Sequence, residues 1–206
     1  MSDSLYDALA AELTDTVWLD TALETVSRQP SAIARLFPAA GRQCGRWMLT
    51  SLPGWAVDDA ARVLLLTALP EEASTEVASL YRYGDAAEKR AVLRALPLLP
   101  VPAAVVTPIL LDALRTNDTR LVAAALGSTL DRPAAARHLT AAAWRQGVLK
   151  AVFMQLPLAD VADLDERADG EFATMLAGLV QERAAAGRAM TADATDLLRR
   201  LEERVT

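Results

Sequence analysis

The chain has 206 residues, 52% of them hydrophobic, with a net charge of −6 and an isoelectric point near 4.9. Broad binding to nucleic-acid phosphates requires clustered Lys and Arg, so this acidic balance leads us to expect no nucleic-acid partner. The most apolar stretch, residues 101–111, is too short to cross a bilayer and contains two prolines, so we expect no direct membrane insertion. The single Cys44 excludes an internal disulfide, and residues 1–4 are polar and acidic rather than typical of a signal peptide. We therefore expect a cytoplasmic protein.

Helix formers dominate the composition. Most of the hydrophobic fraction is Ala and Leu, which favour helix, whereas the aromatic residues, which favour strand, make up only 5% of the chain. The composition predicts an all-α fold of about nine to twelve helices with no sheet.

In the first fifty-six residues, the helical spacing of apolar residues is less regular than in the rest of the chain. Apolar residues at spacings of three and four predict one or two helices before Pro30, at Leu5, Leu9, Leu13, Leu19, Leu23 and Val26. A short helix is predicted over residues 31–37. Residues 38–54 form the least regular stretch, which ends in the turn pair Pro53-Gly54.

From residue 57 the pattern predicts helices joined by short turns. Helices are expected over residues 57–69, 74–81 and 102–116, and a partner helix over 121–126 after a turn at Asn117 and Asp118. Between them, Asp85 and Glu88 have the spacing of a capping box, which opens a helix that ends near Pro97. Towards the C-terminus, residues 172–180 and 197–205 have clear helical periodicity, and Asp169 is predicted to cap the former.

Pairs of about forty residues resemble the units of a HEAT-like array, and residues 108–126 form the best example. We expect residues 1–206 to form one all-helical domain in which residues 57–206 are paired antiparallel helices in a HEAT-like or irregular superhelical arrangement. A compact irregular bundle is the alternative. The predicted core consists of Leu93, Leu96, Leu110, Leu114, Val122, Leu126, Leu149, Val152, Phe153, Leu176, Leu179 and Leu198.

The sequence supplies few groups for catalysis or metal binding. One histidine, His138, and one cysteine cannot form a usual zinc site, and we interpret His138 as a surface residue and Cys44 as a buried one. The acidic run over residues 160–171 departs from calcium-loop spacing, because Ala168 occupies the position that requires glycine. We expect no metal, no cofactor and no assigned catalytic residue.

Two features leave alternatives open. The four tryptophans are interpreted as core anchors or as the lining of a groove, for which Trp47 and Trp55 are the more suitable pair because their segment is irregular. Lys150 lies beside the predicted buried face of its helix with no acidic residue one turn away. An unpaired charge near a core is costly, so we predict an ion pair with Glu182.

An ordered set of segments lies between about residues 80 and 190. These segments are Leu80-Tyr81-Arg82, Glu88-Lys89-Arg90, Leu93-Arg94-Ala95-Leu96-Pro97, Ala113-Leu114-Arg115-Thr116-Asn117, Val148-Leu149-Lys150-Ala151-Val152-Phe153, Pro157-Leu158 and Glu182-Arg183-Ala184-Ala185-Ala186-Gly187-Arg188. Together, in this order, they resemble the EboA family. The resemblance implies a helical protein without assigned catalysis, encoded with a prenyltransferase-like membrane enzyme, metal-dependent TIM-barrel proteins and a sugar-cyclase-like enzyme. It also implies a role in secondary metabolism, which in cyanobacteria includes export of a pigment precursor.

Two functional hypotheses follow. The first is a noncatalytic adaptor that presents a concave or grooved face to an enzyme or intermediate of the gene cluster. The second is an enzyme or small-molecule carrier, less favoured, with a polar cleft for a phosphate, carboxylate or cyclitol-like ligand. The candidate ligand or partner-binding residues are Tyr81, Arg82, Arg90, Asn117, Lys150, Glu182, Arg183 and Arg188.

Overall fold

A computed structural model describes residues 2–130 and 132–205, apart from the side chains of residues 2, 3 and 205. Within these residues the chain forms twelve α-helices and no strand, which confirms the all-α prediction. The helices are α1 Ser2–Ala10, α2 Val17–Arg28, α3 Ile33–Gln43, α4 Val57–Thr67, α5 Ser74–Tyr83, α6 Ala86–Ala95, α7 Ala103–Arg115, α8 Thr119–Leu126, α9 Ala141–Phe153, α10 Leu164–Arg167, α11 Gly170–Ala185 and α12 Ala192–Val205. Short 3₁₀ turns lie at Pro30–Ala32, Leu96–Leu98, Ala135–His138 and Leu158–Asp160.

The chain forms two compact units. The first comprises Met1–Ile109 with Thr129–Arg132, and the second comprises Leu110–Ser128 with Pro133–Thr206. The single domain and the HEAT-like arrangement stay predictions.

The first unit is built around α4. All ten residues from Val57 to Leu66 are buried, and α4 packs against α1, α2, α3 and α6. A helix that is buried on every side requires apolar residues all round it, which α4 supplies apart from Asp58, Asp59 and Arg62. Those three charged groups lie in the interior of this unit.

The second unit joins α8, α9, α11 and α12 in succession, each packed on the next. Its centre is Trp144 of α9, which is fully buried and lies with its ring centroid 5.7 Å from that of Phe172 on α11. The guanidinium of Arg167 lies 4.8 Å from the Trp144 ring centroid and donates to the carbonyls of Ala136 and Leu139. The Arg167 cation thus covers the indole face of Trp144 and stabilises this core by a cation–π interaction.

Most local predictions agree with the structure. The capping box of Asp85 and Glu88 is formed at the start of α6, and Asp169 caps α11 by accepting from the Phe172 amide. Helix α3 differs, because it continues through Pro38 to Gln43, where an irregular stretch was predicted. Burial of Phe37 and Ala40 on either side of Pro38 compensates for the helical hydrogen bond that proline cannot donate.

The predicted core is largely confirmed. Eight of its residues are buried, namely Leu93, Leu96, Leu110, Leu114, Val122, Leu126, Val152 and Leu176, whereas Leu149, Leu179 and Leu198 are half-buried. Phe153 is wrong as a core residue, because 57% of its surface is exposed. The burial of Val205, the last residue of the predicted C-terminal stripe, lies outside the described side chains.

Candidate functional site

A groove between α9 and α11 in the second unit brings together two of the predicted site residues, Lys150 and Glu182. It has a volume of about 560 Å³ and is lined by Gln146, Leu149, Lys150, Phe153, Met175, Gly178, Leu179 and Glu182. Apolar side chains form its walls, and Lys150 and Glu182 add opposite charges. The size lies within the range of sites that take a small ligand or a peptide segment.

Phe153 reaches this groove because α9 is rotated relative to the prediction. The buried face of α9 runs through Trp144, Gly147, Val148, Ala151 and Val152 rather than through Leu149 and Phe153. Apolar residues surround this helix, so their spacing alone does not select one face. The small residues Gly147 and Ala151 lie on the side of α9 that packs most closely against the rest of the unit.

Gly147 shows how close that approach is. A Cβ atom at this position would lie 2.9 Å from Cδ1 of Leu114 and 3.4 Å from Cδ2 of Leu126. The absent side chain lets α9 lie directly against these two leucines. Phe153, at the last residue of α9, is left on the outer surface.

Lys150 is held by a backbone group rather than by an acid. Its Nζ donates to the carbonyl oxygen of Leu114 at 2.9 Å. The predicted ion pair with Glu182 is wrong, since no nitrogen–oxygen contact within 4.0 Å joins these two described residues. Leu114 lies near the end of α7, where carbonyls lack an intrahelical donor, so the lysine satisfies an acceptor that an acidic side chain could not.

Arg183 lies beside Phe153 at the edge of the groove, although it is not one of the lining residues. Its guanidinium carbon lies 6.0 Å from the Phe153 ring centroid, and one terminal nitrogen donates to the carbonyl of Ala189 at 3.2 Å. The Arg183 Nε is buried and has no hydrogen-bond partner among the described residues. Asn117 and Arg188 are exposed and do not line this groove.

The three predicted site residues of the first unit have separate roles. Tyr81 is buried, with Nζ of Lys89 5.1 Å from its ring centroid, whereas Arg82 is exposed and lies over the ring of Tyr83. Arg90 is half-buried and binds Asp59, with Nε and Nη2 3.1 and 3.0 Å from Oδ1.

The sequence analysis missed the charge cluster to which Arg90 belongs. Asp59 is 1% exposed and also pairs with Arg94, whose Nη1 lies 3.1 Å from Oδ2. Arg94 donates further to the Gly54 carbonyl and lies 4.7 Å from the Trp55 ring centroid. The spacing of four residues between Arg90 and Arg94 was the available signal, because it places both on one helix face.

Burial and ion pairing shift the pKa values of this cluster in opposite directions. Burial raises the pKa of the Asp59 carboxyl, and the two guanidinium groups counteract part of that rise. Burial also lowers the pKa of Arg94, against the pull of Asp59. Arg62 and Asp58 form a second internal pair one turn apart on α4, at 2.5 Å, and Arg62 Nε donates to the Phe37 carbonyl. These bonds fix the start of α4 to its neighbours.

The first unit has its own groove of about 460 Å³. Its lining is mostly apolar and includes Ile33, Pro38, Leu80 and Tyr83, with Glu88 at one side. None of the predicted residues Tyr81, Arg82 and Arg90 lines it.

The tryptophans divide between core and surface. Trp55 is 8% exposed beneath Arg94, so of the two alternatives the core anchor holds for Trp55 and the groove pair with Trp47 does not. Trp47 is 49% exposed.

Cys44 is buried as predicted, and burial raises the pKa of its thiol to about 11, which leaves it protonated and unreactive at neutral pH. His138 is exposed at the end of its 3₁₀ turn.

The described part of the chain contains no group of three or more His, Cys, Asp or Glu side chains placed to hold a metal ion. None of its helices combines the length and the apolar character needed to cross a membrane.

The family described as metabolite traffic protein EboA matches residues 34–199. No curated protein and no solved structure matches the chain. Since the match covers well over half of the sequence, the chain belongs to the EboA family.

Proposed function

We propose that this chain is a noncatalytic adaptor in metabolite traffic, and that it recruits a protein partner through the α9–α11 groove. The observation that supports the proposal is Phe153, which is 57% exposed at the edge of the groove beside Leu149 and Met175. Large apolar side chains at such exposure mark interaction sites when other apolar groups surround them.

The chemistry of the groove fits an amphipathic helix of the partner. The walls supplied by α9 and α11 leave room for side chains spaced at three and four residues. Met175 adapts its shape to an apolar side chain, and the aromatic ring of Phe153 adds contact area. Glu182 and Arg183 at the rim bring opposite charges, which orient a partner more than they increase affinity.

The partner in this proposal is an enzyme of the same gene cluster, including the prenyltransferase-like membrane enzyme. The adaptor works in the cytoplasm and brings pathway enzymes together, so that an intermediate passes between them on its way to export. This role requires no catalytic residue, metal or cofactor in the adaptor itself.

The groove of the first unit favours a second candidate function, a carrier of a small molecule. Its volume of about 460 Å³ and its apolar lining suit a compact hydrophobic ligand. Arg90 and Arg94 lie outside this groove and are paired with Asp59, so the apolar lining would have to hold the ligand.

Photo-cross-linking in the native host tests the adaptor. A benzophenone amino acid replaces Phe153, and in a matched strain it replaces Val17, which is 70% exposed on α2. We expect a discrete cross-link to one protein of the gene cluster from position 153 and none from position 17. In purified form that protein should bind the wild-type chain, and Phe153→Glu should abolish the binding. Equal cross-linking from both positions, or none from position 153, would contradict the proposal.

A further inference from the structure

The segment between α3 and α4 presents two large apolar side chains to solvent. Trp47 is 49% exposed and Met48 is 58% exposed. They are adjacent in the chain, and neither lines the grooves described above. Their neighbour Leu49 is buried and anchors the segment to the first unit.

Backbone hydrogen bonds hold this segment in place. The amide of Leu49 donates to the carbonyl of Trp55 at 2.8 Å, and the amide of Val57 donates to the carbonyl of Trp47 at 2.9 Å. The carboxylate of Glu12, two residues after the end of α1, accepts from the amides of Thr50 and Ser51 at 2.7 and 2.9 Å. The exposed side chains therefore project from a fixed support.

Gly45 sets the position of the indole ring. Its φ is +96°, and a Cβ atom there would lie 1.8 Å from Cζ3 of Trp47. The ring rests directly on the glycine backbone, which no other residue would permit.

The sequence around this segment carries charge of the opposite sign to that of the whole chain. Between Glu24 and Asp58 the only charged residues are Arg28, Arg35, Arg42 and Arg46, in a chain whose net charge is −6. Arg42 and Arg46 are exposed, and the Arg46 side chain lies against Gly41, one residue from Arg42. The nearby acid, Glu12, is already bound to two backbone amides.

We propose that Arg42, Arg46, Trp47 and Met48, together named the Trp47 tip, dock the protein on an anionic lipid surface. Indole rings favour the headgroup level of a bilayer, and arginines flanking them attract acidic lipids. Two exposed apolar side chains are too few for a stable protein interface, which buries on the order of 1,200 Å² or more. They suffice for reversible adsorption, in which no element crosses the bilayer.

Vesicle binding by the full chain tests this assignment. Vesicles contain phosphatidylcholine alone or phosphatidylcholine mixed with phosphatidylglycerol, and binding is measured by co-sedimentation at low and high salt. We expect binding only to the mixed vesicles, weakened by salt. The double variant Arg42→Gln/Arg46→Gln should bind more than about tenfold more weakly, since each charge near such a surface contributes about fivefold.

A second pair of variants separates the tip from general effects. Trp47→Ser/Met48→Ser should abolish binding, whereas Val17→Ser, which removes another exposed apolar side chain, should not change it. Arg120→Gln/Arg199→Gln removes the same charge from exposed sites on the second unit and serves as the matched charge control. Brominated lipids should quench the fluorescence of the wild type and not that of Trp47→Ser.

The outcomes are decisive in either direction. Loss confined to the two tip variants, with unchanged circular dichroism, supports lipid docking. Failure of the folded wild type to bind mixed vesicles overturns it and leaves an acidic protein as the partner of the tip. Equal loss in the control variants also overturns it, because binding would then reflect total charge or hydrophobicity.

Discussion

The ammonium group of Lys150 on α9 donates a hydrogen bond to the carbonyl oxygen of Leu114, 2.9 Å away. Leu114 lies one residue before the end of α7, where helix carbonyls have no donor within the helix. A cation at this end also interacts favourably with the helix dipole. The lysine therefore caps one helix from the side of another within the second unit.

Replacing Lys150 by Met should remove this cap and keep the length of the side chain. We expect a loss of about 1–2 kcal/mol in the free energy of unfolding, because the Leu114 carbonyl loses a charged donor. Urea denaturation measures it. Lys150→Arg retains a cation and should retain most of the stability. An unchanged midpoint in Lys150→Met would contradict the capping role.

The two phenylalanines of the second unit form a matched pair for testing burial. Phe172 is fully buried against Trp144, so Phe172→Ala should cost about 3–5 kcal/mol. Phe153 is mostly exposed, and Phe153→Ala should cost less than about 1 kcal/mol. Denaturant midpoints of the two variants check the difference, and comparable losses would show that Phe153 belongs to the core.

Asp59 should be far more important to stability than acids on the surface. Asp59→Asn leaves Arg90 and Arg94 without their shared carboxylate, and we expect a loss of about 3 kcal/mol. Asp165→Asn is the matched control, since Asp165 pairs with Arg200 at 3.0 Å but is 60% exposed, and should cost less than about 1 kcal/mol. Similar unfolding free energies for both variants would argue against the importance of the buried cluster.

Acid should weaken the second unit in part through Asp169. Hydrogen bonds from Arg145, and then from the Phe172 amide, lower the pKa of this carboxyl below its ordinary value of 3.8. A lowered folded-state pKa contributes stability above the unfolded-state value, and that contribution is lost as pH falls through the folded-state value. Asparagine at this position keeps the capping bond and loses the charge.

The measurement is the melting temperature of the wild type and of Asp169→Asn as a function of pH. The wild type should be the more stable at pH 7, and its advantage should shrink below about pH 4. A constant difference across this range would show that the ionised carboxylate contributes nothing specific.

Helix positions followed from the sequence where local signals were strong. The spacing of Asp85 and Glu88 predicted the capping box, and apolar periodicity predicted α4 and α11, because both depend on residues close in the chain. The prediction ended α3 before Pro38, because proline ends a helix unless burial of the residues on both sides outweighs the lost backbone hydrogen bond. That compensation comes from residues distant in the sequence.

The candidate site was predicted only in part. Lys150 and Glu182 do line one groove, yet the lysine binds the Leu114 carbonyl, a group that side-chain patterns do not reveal. The face of α9 was misassigned because apolar residues surround that helix. The pairing of Asp59 with Arg90 joins residues thirty-one apart, so only the folded unit brings them together.

Metabolite traffic in the native host tests the central claim that the α9–α11 groove recruits a partner. A strain lacking the gene is complemented with the wild type, with Phe153→Glu, or with Val17→Glu, which places the same charge on another exposed apolar site. The exported product of the gene cluster is quantified, with protein levels matched. The groove account predicts that Phe153→Glu abolishes export while Val17→Glu restores it. Full export by Phe153→Glu would contradict it.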